Sequence, residues 1–428
     1  ELVNDSSLSA TQQLQVREAK RELDRSTKLP EKLVSEFSRA TSLAHADWIK
    51  ARETENWNLF KAPLQTIVNL SKEAAAYLGF EKDPYAERLD AFEPGCTTAQ
   101  LDAVFTPLKK TLPEMVRKCI EKKRPLKREF YNNEFPVAGQ EALCQFISKE
   151  MGLPETRSRM DISVHPFCTS FGLNDVRRTL RYHPNMPAQS LYSIMHENGH
   201  ALYELGISQD LANTPCGSAV SLGIHESQSR LWENIIGRNF AFVETYFNEF
   251  KRFWGKGAES LSPPELYALI TEVAPSYIRV EADELTYNLH IILRYELEKA
   301  IFDGSLSLDD LPEAWNTKFE EYFGLKVDKP SNGVLQDVHW SFGMFGYFPT
   351  YTLGNLYSAQ LAHALEKKVA PIETLIREKR LSEVRTWLLE NVHSFGKLKT
   401  AEQIAVDATG EKLNALYFER YLNKKYSS

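Results

Sequence analysis

The chain has little of what marks a disulfide scaffold, a membrane protein or a nucleic-acid binder. Its five cysteines (Cys96, Cys119, Cys144, Cys168 and Cys216) are odd in number and widely scattered, with no C-x-x-C. That spacing excludes a disulfide framework and fits reduced thiols in a cytoplasmic protein. No apolar run approaches the roughly 18 residues of a membrane span. No basic run stands out in a chain of net charge −7, so nucleic acid is not an expected partner. No internal repeat, low-complexity segment or secretory signal is recognisable, and a start at Glu1 without Met suggests a trimmed product or part of a longer chain. What remains is 428 residues, 43% hydrophobic and 25% charged, which is globular composition with ample material for a core.

The periodicity is mostly helical. Residues 11–29, 31–54 and 57–80 read as long charged helices with narrow apolar stripes, and their charge as a solvated face. Thr98 is expected to cap a helix running to Leu108. Residues 160–167 and 175–182 are short and β-prone, predicting a hairpin around 170–174. Further helices are expected from His225, behind the Ser262-Pro263-Pro264-Glu265 start signal, over 278–301, and through 355–425. Length alone suggests two or three domains. No linker is evident, so the simplest reading is one helical unit over 1–428, with 1–150 as an N-terminal helical part and 151–428 carrying the chemistry.

The chemistry centres on residues 193–206, SIMHENGHALYELG. His196, Glu197 and His200 form an H-E-x-x-H. Positions i and i+4 share a helix face, so both imidazoles can reach one metal ion, and Glu197 can act as general base toward a water. Pro187 suits the first helical position. Leu191, Ile194, Met195, Ala201, Leu202 and Leu205 supply a buried stripe, Gly206 reads as the C-terminal stop, and Gly199 should leave space beside the metal. Glu204 continues the stripe but lies about 12 Å along the axis from His196, at 1.5 Å per residue, too far for the same ion. Another element must supply the third ligand. Glu226, opening the next helix, is the first candidate and Glu233 the competitor. His225 and Gln228 could orient Glu226.

Six motifs appear in one order: HPF (His165 to Phe167), DVRRT (Asp175 to Thr179), HENGH (His196 to His200), HESQ (His225 to Gln228), IRVEAD (Ile278 to Asp283) and GVLQDVHW (Gly333 to Trp340). Together they resemble the signature set of the M32 metallocarboxypeptidases over essentially the whole chain. The resemblance implies a mostly α, neurolysin-like helical peptidase fold with a deep central cleft and a small β-hairpin beside the active site. It also implies a homodimer, with zinc or cobalt bound by His196, His200 and Glu226, and Glu197 as base. The implied activity removes single residues from free peptide C-termini with broad side-chain tolerance. Members of the family extend further upstream than this chain does.

An exopeptidase must also hold a terminal carboxylate, which suits a guanidinium. Arg279 is the first choice and Arg177 the second; the bland alternative is an ion pair with Glu281, Asp283 or Asp175. By analogy with related helical peptidases, His339 and a tyrosine, Tyr347 or Tyr351, would stabilise the oxyanion. Asp337 could orient a histidine, and His165 reads as structural. Two competing functions remain: a zinc endo-oligopeptidase of similar fold, and a non-catalytic helical binding protein with a structural metal.

Overall fold

The computed structural model describes Leu2 and residues 5–122 and 125–426. Helix dominates, as the periodicity indicated, and one three-stranded sheet is the β structure among the described residues. No helix among them is long and apolar enough to cross a membrane. The chain forms two compact units, one of Glu1–Glu121, Val273–Thr352 and Tyr426–Ser428, the other of Lys122–Glu272 and Leu353–Lys425.

The first unit begins with α1 (Ala10–Thr27), α2 (Glu31–Glu53), α3 (Asn58–Tyr77), α4 (Pro84–Phe92) and α5 (Thr98–Glu121). The first three fall within a few residues of the spans read from periodicity. α2 packs on α3, which buries Phe60, Leu64, Ile67 and Val68. α5 overruns its expected end at Leu108 and passes through Pro107 and Pro113 to Glu121. An interior proline costs about 3 kcal/mol. The stripe Leu101, Phe105, Leu108, Leu112 and Val116 offsets this by its burial. The cap is Thr97 rather than Thr98, its Oγ1 accepting from the Gln100 N–H at 3.2 Å.

The helix expected over 278–301 starts later, at Glu284, and runs to Asp303 against α5. The Asp283 carboxylate accepts the N–H groups of Leu285 and Thr286 at 2.9 and 3.0 Å. Asp283 is therefore the N-cap, and Arg279–Glu281 forms a separate 3₁₀ turn before it.

The second unit contains α6 (Val137–Glu150), strands β1 (Ser158–Ile162), β2 (Phe167–Ser170) and β3 (Val176–Leu180), and helices α7 (Pro187–Gly206) and α8 (Leu222–Arg230). The sheet order is β1-β3-β2, so the predicted hairpin needs correcting. The run 160–167 is not one strand. Its first half pairs with β3 in parallel, Ser158 opposite Val176; β2 then pairs with β3 antiparallel, Phe167 opposite Thr179. Pro166 has no N–H to donate to a ladder, and the chain turns between Ile162 and Phe167 to reach the other side of β3. β3 packs on α7. From β3, buried Arg178 hydrogen-bonds Asn198 in the middle of α7 and Ser148 Oγ of α6, which ties the sheet to the helix carrying the H-E-x-x-H.

Candidate metal centre

α7 forms as its residues suggest. Pro187 occupies the first turn, and Leu191, Ile194, Met195, Ala201, Leu202 and Leu205 are all buried. That leaves His196 and His200 on one face, their side chains 20% and 15% exposed. Gly206 does not act as the expected left-handed stop, since its φ is not positive. It is small because a Cβ there would meet the His393 ring carbons and nitrogen, Cβ of His393 at 2.7 Å.

α8 starts at Leu222, where Ser221 Oγ accepts from the Ile224 N–H at 3.1 Å. Glu226 therefore sits in mid-helix and does not open it. At that position the positive end of the helix dipole does not account for a carboxylate. Gly199 also has a different role from the one expected. A Cβ there would lie 2.5 Å from both the Gln228 carbonyl oxygen and the Ser229 Cα, so the missing side chain lets the α8 backbone approach α7. On its other side Glu226 is crowded by Gly354, whose added Cβ would come within 2.5 Å of Glu226 Cγ.

These contacts bring three donors together. His196 Nε2 and His200 Nε2 are 3.2 Å apart, and Glu226 Oε2 lies 3.7 and 3.4 Å from them. A tetrahedral ion with ligands at about 2.0–2.1 Å separates its donors by about 3.3–3.4 Å, so this triangle fits a divalent ion. Among the described residues it is the one group of His, Cys, Asp and Glu that converges in this way.

The surrounding charges hold the donors in place. Arg230 Nε donates to Glu226 Oε1 at 2.7 Å, and Ser229 Oγ to Glu226 Oε2 at 3.2 Å. Burial alone would raise the Glu226 carboxyl, but Arg230 and the histidines hold it well below the usual range. Glu233 lies in the π-helical turn Leu231–Gly237 and is not a member of the converging group. Its Oε2 sits 2.9 Å from His196 Nδ1, and Arg238 Nη2 donates to its Oε1 at 3.0 Å. Burial would lower the His196 imidazole, yet Glu226 and Glu233 raise it above its ordinary value. Burial depresses His200 to about 3. Glu197 is buried beside the ligands, and burial pushes its carboxyl up to about 7. His225 and Gln228 do not orient Glu226: His225 contacts His200 and Glu204, and Gln228 Oε1 accepts from His393 Nε2–H at 2.8 Å. Arg230 was the residue missed in the sequence, although its spacing of four from Glu226 is a readable ion-pair signal.

Arg279, His339, Tyr347 and Tyr351 belong to the first unit, where Asp337 organises them. Arg279 is buried; its Nε and Nη2 donate to Asp337 Oδ1 at 3.0 and 2.9 Å, and its Nη1 to Tyr287 OH at 3.1 Å. Its ion-pair partner is thus Asp337, not Glu281 or Asp283. Arg294 donates to the other oxygen, Oδ2, at 2.7 Å. The Arg279 guanidinium lies 5.2 Å from the Tyr351 ring centre, and the Tyr347 and Tyr351 rings are 5.3 Å apart. His339 Nδ1 is 3.9 Å from Asp337 Oδ1, so the carboxylate faces the histidine while bonding the arginines. Arg177, on β3, pairs with Asp175 at 2.8 Å and is 46% exposed. The His165 ring is exposed, and its carbonyl accepts from Ser163 Oγ at 2.5 Å.

Comparison with known proteins matches the chain to a family. The model of the "Carboxypeptidase Taq (M32) metallopeptidase" family matches residues 1–426. A thermostable carboxypeptidase 1 of Pyrococcus furiosus is 39% identical over 95% of this chain and 82% of its own length. A carboxypeptidase 1 of Bacillus subtilis is 38% identical over 96% and 82%. Among solved structures, an M32 carboxypeptidase from Deinococcus radiodurans superposes with a TM-score of 0.96 at 36% identity, covering 99% of this chain and 85% of the other. Metallocarboxypeptidase 1 of Trypanosoma cruzi gives 0.94 at 33% identity, over 99% and 85%. Both the family match and the identity hold over nearly the full length, and the chain therefore belongs to the M32 metallocarboxypeptidases, a family of peptide hydrolases.

Proposed function

We propose that this carboxypeptidase releases single amino acids from free peptide C-termini with broad side-chain tolerance, using zinc, with cobalt as a working substitute. The observation that carries this is the spacing of the three donors with a buried carboxyl next to them. His196 Nε2, His200 Nε2 and Glu226 Oε2 would hold the ion. When bound, such an ion polarises the scissile carbonyl and makes a water more acidic.

The remaining chemistry falls to side chains. Glu197 accepts the proton of the attacking water at a carboxylate oxygen and delivers it to the leaving amine. Arg230 keeps the Glu226 carboxylate ionised and aimed. Arg279 binds the terminal carboxylate: around Asp337 two guanidiniums face one carboxylate, leaving a buried positive excess that an anion would neutralise. Arg177 assists at the surface. His339 and Tyr347 or Tyr351 donate to the developing oxyanion. Residues 1–428 act as one peptidase unit, with 1–150 covering the cleft. It works as a homodimer in the cytoplasm.

The test is a ladder assay on one peptide with a free or an amidated C-terminus, with and without chelator, together with metal analysis. Stepwise shortening of the free acid alone, stopped by chelator, is the expected result. Equal cleavage of the amide would replace this reading with the endo-oligopeptidase.

A further inference from the structure

The two metal-facing histidines are held from behind in different ways. His196 meets a carboxylate directly, through Glu233. His200 Nδ1 instead faces the Nδ1 of another histidine, His225, at 2.5 Å, and His225 Nε2 lies 2.8 Å from Glu204 Oε1. The three residues form a line from the metal face of α7 to the end of the His196-His200-Glu204 stripe, with His225 of α8 bridging the last two. All three are largely buried, with side chains 15–18% exposed.

We propose that His225 and Glu204 are positioning residues that set the tautomer of His200. This rests on the reading that His200 Nε2 is a metal ligand. A carboxylate can only accept, so Glu204 draws the His225 proton to Nε2. With its N–H at Nε2, His225 presents a lone pair at Nδ1, which accepts from His200 Nδ1–H. That proton placement leaves the His200 Nε2 lone pair free and pointing at His196 Nε2 and Glu226 Oε2. Each atom in the line has one role, and the reverse assignment would put a proton on the ligating nitrogen. An outer partner of this kind is worth about 10–100-fold in metal affinity. The arrangement also explains why an acid continues the stripe at a position too distant to be a ligand.

The test compares H225F, E204L and E204Q with the wild type in chelator competition, with the visible absorption of the cobalt form and far-ultraviolet circular dichroism recorded alongside. H225F and E204L should weaken metal binding, H225F by about 10–100-fold and E204L by less, and alter the cobalt bands. E204Q keeps an accepting oxygen and should bind nearly as the wild type does. If H225F does not fold, the Glu204 pair decides alone. Wild-type affinity in E204L overturns the proposal, as does equal weakening in E204L and E204Q, which would mean only that the site dislikes any change there. A wild type that binds no ion in the same titration would sink the metal reading instead.

Discussion

The metal centre and the Asp337 cluster are both buried networks of charged side chains, but they are built with opposite excess charge. Around the metal triangle, Glu204, Glu226 and Glu233 outnumber Arg230 and Arg238. Around Asp337, Arg279 and Arg294 both pair with one carboxylate, and the raised Glu298 carboxyl also faces Arg294. A buried charge without a partner is costly, so neither imbalance is neutral. A cation would relieve the first and an anion the second. A peptide hydrolase acting at C-termini requires one of each, a divalent ion at the scissile bond and an anchor for the terminal carboxylate. The backbone settings differ as well. The metal centre rests on two regular helices in contact through Gly199, whereas Arg279 stands on a short 3₁₀ turn ahead of a helix capped by Asp283.

The largest expected effects break the first network. E226A should reduce metal affinity by more than the roughly 10–100-fold of an outer partner, read by chelator competition. Unchanged metal content would transfer the ligand role to Glu233. E197Q should keep its metal and lose about 10²–10⁴-fold in kcat. Full activity in that variant would remove Glu197 as the base.

D337N attacks the second network. It leaves two buried guanidiniums without their carboxylate, a change that costs about 3–5 kcal/mol, read as a lower denaturant midpoint. Metal affinity should be unaffected, because the two networks share no side chain. Burial alone would raise the Asp337 carboxyl, but Arg294 and Arg279 hold it below the usual carboxylate range. Its folded-state affinity for a proton is therefore weaker than in the unfolded chain. The stabilisation is complete above the unfolded value of about 3.9 and disappears as the pH falls through it toward the folded value. D337N should show a shallower loss of stability in acid than the wild type. An equally steep acid limb would mean that other carboxylates carry it.

G199A should cost about 1–3 kcal/mol from overpacking, since its Cβ would meet α8 backbone that cannot rotate away. A loss of metal affinity should accompany it as Glu226 is displaced. This glycine also shows what the sequence could and could not reveal. The helix, its stripe and its two imidazoles follow from local spacing, and α7 is where that spacing places it. The role of Gly199 depends on which helix lies against it, and no local pattern contains that information. The need for a third donor points to Glu226, its own local pattern does not, and the start of α8 is set by the Ser221 cap, which periodicity alone does not mark. The helix before Asp303 was begun too early for the same reason at Asp283. The split of 160–167 into two strands was not visible because β-propensity reports a pleated surface and not its partner. Asp337 reads from the sequence as orienting a histidine; its two arginines come from separate segments, which only the fold brings together.

R177A is the mildest probe and separates chemistry from structure most cleanly. Arg177 sits at the surface of β3, its guanidinium paired with Asp175 and 4.9 Å from the Phe171 ring centre. An exposed pair of this kind is screened by water and salt, so the unfolding midpoint should not move. Neither buried network includes it, so metal affinity should also be unchanged. If it assists in holding the terminal carboxylate, KM for free-acid peptides should rise with kcat retained, and added salt should narrow the difference from the wild type. Identical KM values at low ionic strength would confine Arg177 to its pair with Asp175 and leave the carboxylate to Arg279 alone.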